Sequence, residues 1–109
     1  MLDKAILDGK KVVPIADVLA WGRWFETADR VVKKDTLPNG KRVSTVFLGI
    51  NHQFGVREPL WFETMVFPKK NYRELDMERY TTWEEAEKGH KQMIQKWITP
   101  TKKSGRRGI

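Results

Sequence analysis

The basic and aromatic side chains between residues 52 and 80 are the group in this sequence with the clearest binding chemistry. Arginine and lysine neutralise phosphates, while aromatic rings stack on nucleobases. This combination predicts a site for an acidic ligand such as a nucleotide or a single-stranded nucleic acid, or for an acidic protein. The predicted ligand-binding residues are His52, Phe54, Arg57, Lys69, Lys70, Tyr72, Arg73, Arg79 and Tyr80.

The same segment also carries acidic residues, which leave a second interpretation open. Glu58, Glu74, Asp76 and Glu78 nearly balance the bases. If each base pairs with a neighbouring carboxylate, the segment is a solvated connector with no ligand.

Catalytic groups are scarce in the sequence. His52 and His90 would be the acid and base of a small phosphodiesterase, which we keep as an alternative. His90, however, falls on the apolar stripe of a predicted helix, and this position favours a packed, hydrogen-bonded histidine. The chain contains no cysteine, which excludes thiolate catalysis, and it shows no ligand spacing typical of a metal site. We therefore favour a non-enzymatic binding module without a cofactor or metal.

The net charge is unevenly distributed along the chain. It is +7 over 109 residues, and Lys102, Lys103, Arg106 and Arg107 supply four of these charges. We expect one domain over residues 1–100, followed by a basic, disordered tail over residues 101–109. A second alternative is therefore a nucleic-acid-binding protein that uses the basic and aromatic residues together with this tail.

The first residues, Met1 to Asp8, carry acidic side chains and resemble no signal peptide. No stretch approaches the roughly 20 apolar residues that a membrane span requires. We expect a cytoplasmic protein with no membrane partner.

Two helices are predicted from apolar residues that recur at three- and four-residue steps. A short helix extends from Asp17 to Glu26. A longer amphipathic helix begins at Thr82, which forms a capping box with Glu85, and ends before Pro100.

The middle of the chain predicts a β-sheet. Residues 30–34 and 42–50 flank Pro38-Asn39-Gly40, a sequence typical of a tight hairpin turn, and residues 60–67 alternate in two apolar sets. We predict an α+β fold with a three-stranded antiparallel meander, an irregular segment over residues 1–14 and a polar connection over residues 68–80. With both helices on one face of the sheet, the other face is left as a dimer surface or a ligand platform, so a homo-oligomer is one expected state.

Three segments resemble a group of short, uncharacterised proteins encoded by tailed phages and prophages. They are VSTVFLGINH, LWFETMVF and RYTTWEEAEKGH, within residues 43–90. The group has no assigned activity. The resemblance implies a viral origin and an accessory role in the bacterial cytoplasm. There the protein would bind an acidic host component, for example as a counter-defence factor that sequesters a nucleotide signal or blocks a host defence protein.

Overall fold

The computed structural model describes residues 3–53 and 57–98. Over these residues the chain forms six strands and two helices, which confirms the predicted α+β class. In chain order they are β1 (Ala5–Asp8), β2 (Lys11–Pro14), α1 (Val18–Thr27), β3 (Val31–Thr36), β4 (Arg42–Phe47), β5 (Phe62–Phe67), β6 (Asp76–Tyr80) and α2 (Trp83–Trp97). The tail and Phe54 lie outside the described residues.

The main sheet has four antiparallel strands in the order β3-β4-β5-β6, so the prediction of three strands was wrong in detail. The fourth strand, β6, lies within residues 68–80, which were predicted to be a polar connection. Its sequence, DMERY, is too polar to signal a strand, and it is held by pairing of Glu63 with Arg79 and of Thr64 with Glu78 across β5 and β6.

A separate hairpin, β1–β2, replaces the irregular segment expected over residues 1–14. Gly9 supplies the positive φ of 63° that its turn requires. An antiparallel bridge between Lys4 and Ile50, with Ala5 N–H donating to Gly49 O at 3.0 Å, joins this hairpin to the segment after β4. Long-range contacts of this kind, together with the packing of Ala5, Leu7 and Val12 in the core, position the short hairpin, and a local sequence pattern does not contain them.

Alternate residues of the central strands point towards α2 and form the core. Val43, Thr45 and Phe47 of β4 are fully buried, and in register with them are Val66, Thr64 and Phe62 of β5. Ala86 packs beside Phe47 and Phe62, and Met93 packs beside Val43 and Val66. The helix therefore covers one face of the sheet along its length.

Both ends of α2 are fixed by side chains. At its start Thr82 and Glu85 form the predicted capping box. At its end Asn39, in the β3–β4 turn, donates from Nδ2 to the carbonyl oxygen of Trp97 at 2.8 Å. Asp76 accepts from Trp97 Nε1 at 2.8 Å and lies 2.7 Å from Lys96 Nζ. The capping box is local to the helix, whereas the contacts at its end tie α2 to the β3–β4 turn and to β6.

Helix α1 packs at the edge of this core through its aromatic residues. Trp21 Nε1 donates to the carbonyl oxygens of Ala5 at 3.1 Å and Gly49 at 3.0 Å. Trp24 meets Phe47 edge to face, with ring centroids 5.8 Å apart. Because Phe47 points to the α2 side, α1 lies on that side too.

Gly89 allows α2 to approach β6, since a Cβ at this position would lie 2.2 Å from the ring of Tyr80. Gly89→Ala should therefore lower the free energy of unfolding by about 1–3 kcal/mol, although alanine is the better helix former. Gly22→Ala is the matched control, because a Cβ there meets no atom within 4 Å in α1. It should stabilise the protein by up to about 1 kcal/mol. Urea denaturation measures both, and equal effects of the two substitutions would refute the close approach.

Asp76 should make stability depend on pH. Hydrogen bonds from Lys96 and then Trp97 hold the pKa of this carboxyl below its ordinary value of 3.8. Its stabilising effect is therefore present above pH 3.8 and is lost as the pH falls through the lower, folded-state pKa. Asp76→Asn should cost about 1 kcal/mol near neutral pH, and this difference should vanish near about pH 2.

Urea midpoints of Asp76→Asn, measured against pH, check this prediction. Glu78→Gln on the same strand is the control and should show no such trend, because Glu78 is exposed. A constant difference between Asp76→Asn and the wild type at every pH would contradict the prediction.

Candidate functional site

The structure divides the predicted ligand-binding residues between the two ends of the main sheet. Lys69, Lys70, Tyr72 and Arg73 lie in the loop between β5 and β6, where β5 ends. The other described members, His52, Arg57, Arg79 and Tyr80, lie at the opposite end, where β5 begins and β6 ends. The residues that were predicted to surround one site therefore form two separate groups.

At the end of the sheet that carries the β5–β6 loop, the central residue is Arg42, which was not among the predicted ligand-binding residues. Its Nη2 donates to the carbonyl oxygen of Pro68 at 2.8 Å and to that of Asn71. Its guanidinium carbon lies 4.3 Å from the ring centroid of Tyr72 and 5.6 Å from that of Phe67. Arg42 therefore holds the loop in place and forms a cation–π stack with both rings.

Register explains why this arginine was missed. Arg42 and Phe67 are cross-strand partners of β4 and β5, and partners lie close enough for their side chains to touch. Pairing the predicted strands of residues 42–50 and 60–67 in the correct register would have placed Arg42 beside the loop. The sequence shows both strands, but the loop that joins them is too long to fix their register.

We call the group formed by Arg42, Phe67, Lys69, Lys70, Tyr72 and Arg73 the basic platform. Tyr72 is 77% exposed, and the bases at 69, 70 and 73 are exposed as well. The aliphatic stem of Lys69 lies against Gly40, where a Cβ would come within 2.7 Å of it. The platform thus combines an exposed aromatic ring with several cations on one loop.

The bases of the platform do not pair with the carboxylates expected beside them. Within residues 3–53 and 57–98, no carboxylate lies within 4.0 Å of Lys69, Lys70 or Arg73. Asp76 pairs with Lys96 instead. The connector interpretation is therefore not realised at this end of the sheet.

Arg79 at the other end does pair with a carboxylate, although not with one of the four acidic residues of the connector interpretation. Its Nε donates to Glu63 Oε2 at 2.9 Å, and Glu63 is only 8% exposed. Tyr80 lies under α2 against Gly89, where burial raises the pKa of its hydroxyl above 10.0, opposed by a hydrogen bond with Thr64. In this group the guanidinium of Arg79 is therefore already paired, and Tyr80 packs against α2.

A chain of hydrogen-bonded polar side chains runs beneath α2, buried at Thr45, Thr64 and His90 and reaching the surface at Asp35. Thr45 Oγ1 lies 2.5 Å from Thr64 Oγ1 and 2.7 Å from His90 Nδ1, and His90 Nε2 lies 2.8 Å from Asp35 Oδ2. With the proton of His90 on Nε2, that nitrogen donates to Asp35, Nδ1 accepts from Thr45, and Thr45 accepts from Thr64. With this arrangement of protons, each hydrogen bond in the chain has one donor and one acceptor. We call these four residues the buried polar chain.

The expectation of a packed, hydrogen-bonded His90 is confirmed. The residue is 2% exposed and both of its ring nitrogens have partners. His52 lies in the loop after β4, where its backbone N–H donates to the carbonyl oxygen of Leu60 at 3.2 Å. The geometry gives no support for an acid–base pair of His52 and His90, since His90 has no free nitrogen for a substrate.

Comparison with protein-family models, with curated proteins and with solved structures gives no significant match. In the described part of the chain, no group of three or more His, Asp or Glu side chains is placed to hold a metal ion. No described helix has both the length and the apolar character needed to cross a membrane.

Thr45→Val tests the buried polar chain. The substitution keeps the side-chain volume but removes the hydroxyl, so Thr64 and His90 each lose a partner while remaining buried. The free energy of unfolding should fall by about 1–3 kcal/mol in urea denaturation. Ser44→Ala, on the adjacent and half-exposed position of β4, should change it by no more than about 0.5 kcal/mol. A Thr45→Val protein as stable as the wild type would show that these hydrogen bonds contribute no net stability.

Proposed function

We propose that the protein is a non-enzymatic binding module whose basic platform takes a phosphate-bearing ligand of nucleotide type. The observation that carries the proposal is the exposed Tyr72 ring stacked on Arg42 beside Lys69, Lys70 and Arg73, which are free of carboxylate partners in the described chain. Within the described residues, no carboxylate therefore competes with a ligand for these charges.

The two kinds of side chain have separate roles in this proposal. Lys69, Lys70 and Arg73 neutralise phosphate oxygens through charge-assisted hydrogen bonds. Tyr72 offers a ring face to a nucleobase, and Arg42 holds that ring from its other side. Arg42 Nε is buried and has no acceptor within the described residues, so this chain does not fully satisfy the guanidinium.

The resemblance to phage proteins adds an expectation about biological use. Stoichiometric capture of a nucleotide signal in a bacterial host would make the protein a counter-defence factor. An acidic host protein is the alternative partner. It would bind the same cations but would not need to stack on the exposed ring of Tyr72. Dependence of binding on Tyr72 therefore separates the nucleotide from the protein.

Isothermal titration with ATP, inorganic triphosphate and adenosine tests the proposal. The triple variant Lys69→Gln, Lys70→Gln, Arg73→Gln should weaken ATP and triphosphate binding by at least about tenfold, because it removes the phosphate contacts. Tyr72→Ala should weaken ATP binding by about five- to a hundredfold and leave triphosphate binding unchanged, because only ATP carries a base.

A matched control removes the same number of positive charges from another part of the surface. The variant Lys10→Gln, Lys11→Gln, Lys88→Gln removes three exposed cations outside the basic platform and should change ATP affinity by no more than about threefold. Equal losses in both triple variants would reduce the effect to net charge and refute a site at the platform. So would an absence of ATP and triphosphate binding at millimolar concentration.

A further inference from the structure

One face of the main sheet is not covered by either helix. The side chains of β4 and β5 that alternate with the core residues point to this face, where Arg42 pairs with Phe67 and Ser44 with Met65. Helix α2 contacts all four strands from the other side, and Trp24 places α1 on that side as well. We call this surface the open face; on β6 it continues through Met77 and Arg79.

The acidic residues of the two edge strands point to one face of the sheet. On the edge strands, the acidic residues Asp35, Asp76 and Glu78 are in register with core positions and so point to the helix side. The bases Lys34 and Arg79 are in register with open-face positions. On β3 a second lysine, Lys33, is in register with Thr45 and so points to the helix side beside Asp35. The carboxylates of both edge strands therefore point to the helix side, and each edge strand places one cation on the open face.

Among the described residues of β3 to β6, Glu63 places its carboxylate on the open face. Arg79 neutralises it, with Nε 2.9 Å from Glu63 Oε2. The face therefore carries a net positive charge from Lys34 and Arg42. Between these cations and Arg79 lie the half-buried Ser44, Met65 and Met77, which present uncharged, polarisable surface.

The basic platform is continuous with this face, because Arg42 and Phe67 belong to both. We infer that a single-stranded nucleic acid lies across the open face, with one end on the platform and its bases against Phe67 and Met65. This inference rests on the proposed function and extends it from one nucleotide to a strand. The six-residue strands are about 20 Å long, but Glu63 near the start of β5 is only 8% exposed, so the accessible track runs from Met65 to the platform loop. We expect this track and the platform together to hold about four nucleotides.

The chemistry favours a single strand over a duplex. Aromatic and thioether surfaces gain by contact with base faces, and a duplex hides those faces within its own stack. A duplex would meet only the cations at the ends of the open face. Charge complementarity and the exposed ring of Tyr72, beside the half-buried ring of Phe67, together therefore favour an unpaired strand.

Fluorescence anisotropy with labelled oligothymidylates of about two, four and eight nucleotides tests the inference at fixed, low salt. Affinity should rise with length up to about four nucleotides and then level off. Met65→Glu places a carboxylate in the centre of the open face and should weaken binding of the longest oligonucleotide by at least about tenfold, while ATP binding stays within about twofold. Gln92→Glu, the same charge change on the exposed side of α2, should alter neither.

Should Met65→Glu fail to fold by circular dichroism, Met77→Glu on the edge strand repeats the test from the same face. Affinity that is independent of length, or longest-oligonucleotide binding unchanged by the glutamate variant, would overturn the open face as a binding track and leave the platform intact. A duplex of equal length that binds as tightly as the single strand would also overturn the inference. If the platform triple variant loses neither ATP nor oligonucleotide affinity, the proposed function itself fails.

Discussion

The hydrogen bonds from Asp35 through His90 and Thr45 to Thr64 determine how the helical layer sits on the sheet. They link β3, β4, β5 and α2 in a core that is otherwise apolar. An apolar core tolerates a helix that slides by a residue, whereas a buried imidazole flanked by two partners tolerates very little displacement. The polar chain therefore specifies one placement of α2 as well as contributing to stability.

That placement decides which face of the sheet remains uncovered. Once His90 is directed at Thr45, the side chains of Val43, Phe47 and their partners on β5 are enclosed, and the alternate residues are left outside. Because strand residues alternate strictly between faces, a slip of β4 by one position would bury Arg42 and Ser44 in place of Val43 and Thr45. The chemistry of the outer surface is thus a consequence of the hydrogen bonds inside.

The sequence predicted the elements that have local signals. The capping box of Thr82 and Glu85 and the apolar stripe of the last helix depend on residues within a few positions of one another, and both are confirmed. The turn at Asn39-Gly40 was equally visible, with Gly40 at a φ of 88°. Strand β6 and the β1–β2 hairpin gave weak local patterns, because partners far along the chain hold them in place.

Prediction of the site was limited in the same way. Chain proximity suggested one cluster of bases, but the connection between β5 and β6 and the far end of β6 lie a strand's length apart. Arg42 escaped notice because its contacts with Tyr72 and Phe67 arise from cross-strand pairing. His90 was correctly expected to be packed, whereas its partners Thr45 and Asp35 could not be chosen without the fold.

Gly40 couples the conformation of the β3–β4 turn to the position of Lys69 in the β5–β6 loop. The residue turns the β3–β4 hairpin with a left-handed conformation, and its missing side chain makes the space in which the methylene groups of Lys69 rest. Any larger residue would strain the hairpin and also push the neighbouring loop outwards. The turn between β3 and β4 therefore also positions the side chain of Lys69, and a change of the residue at this turn would move a cation at the surface.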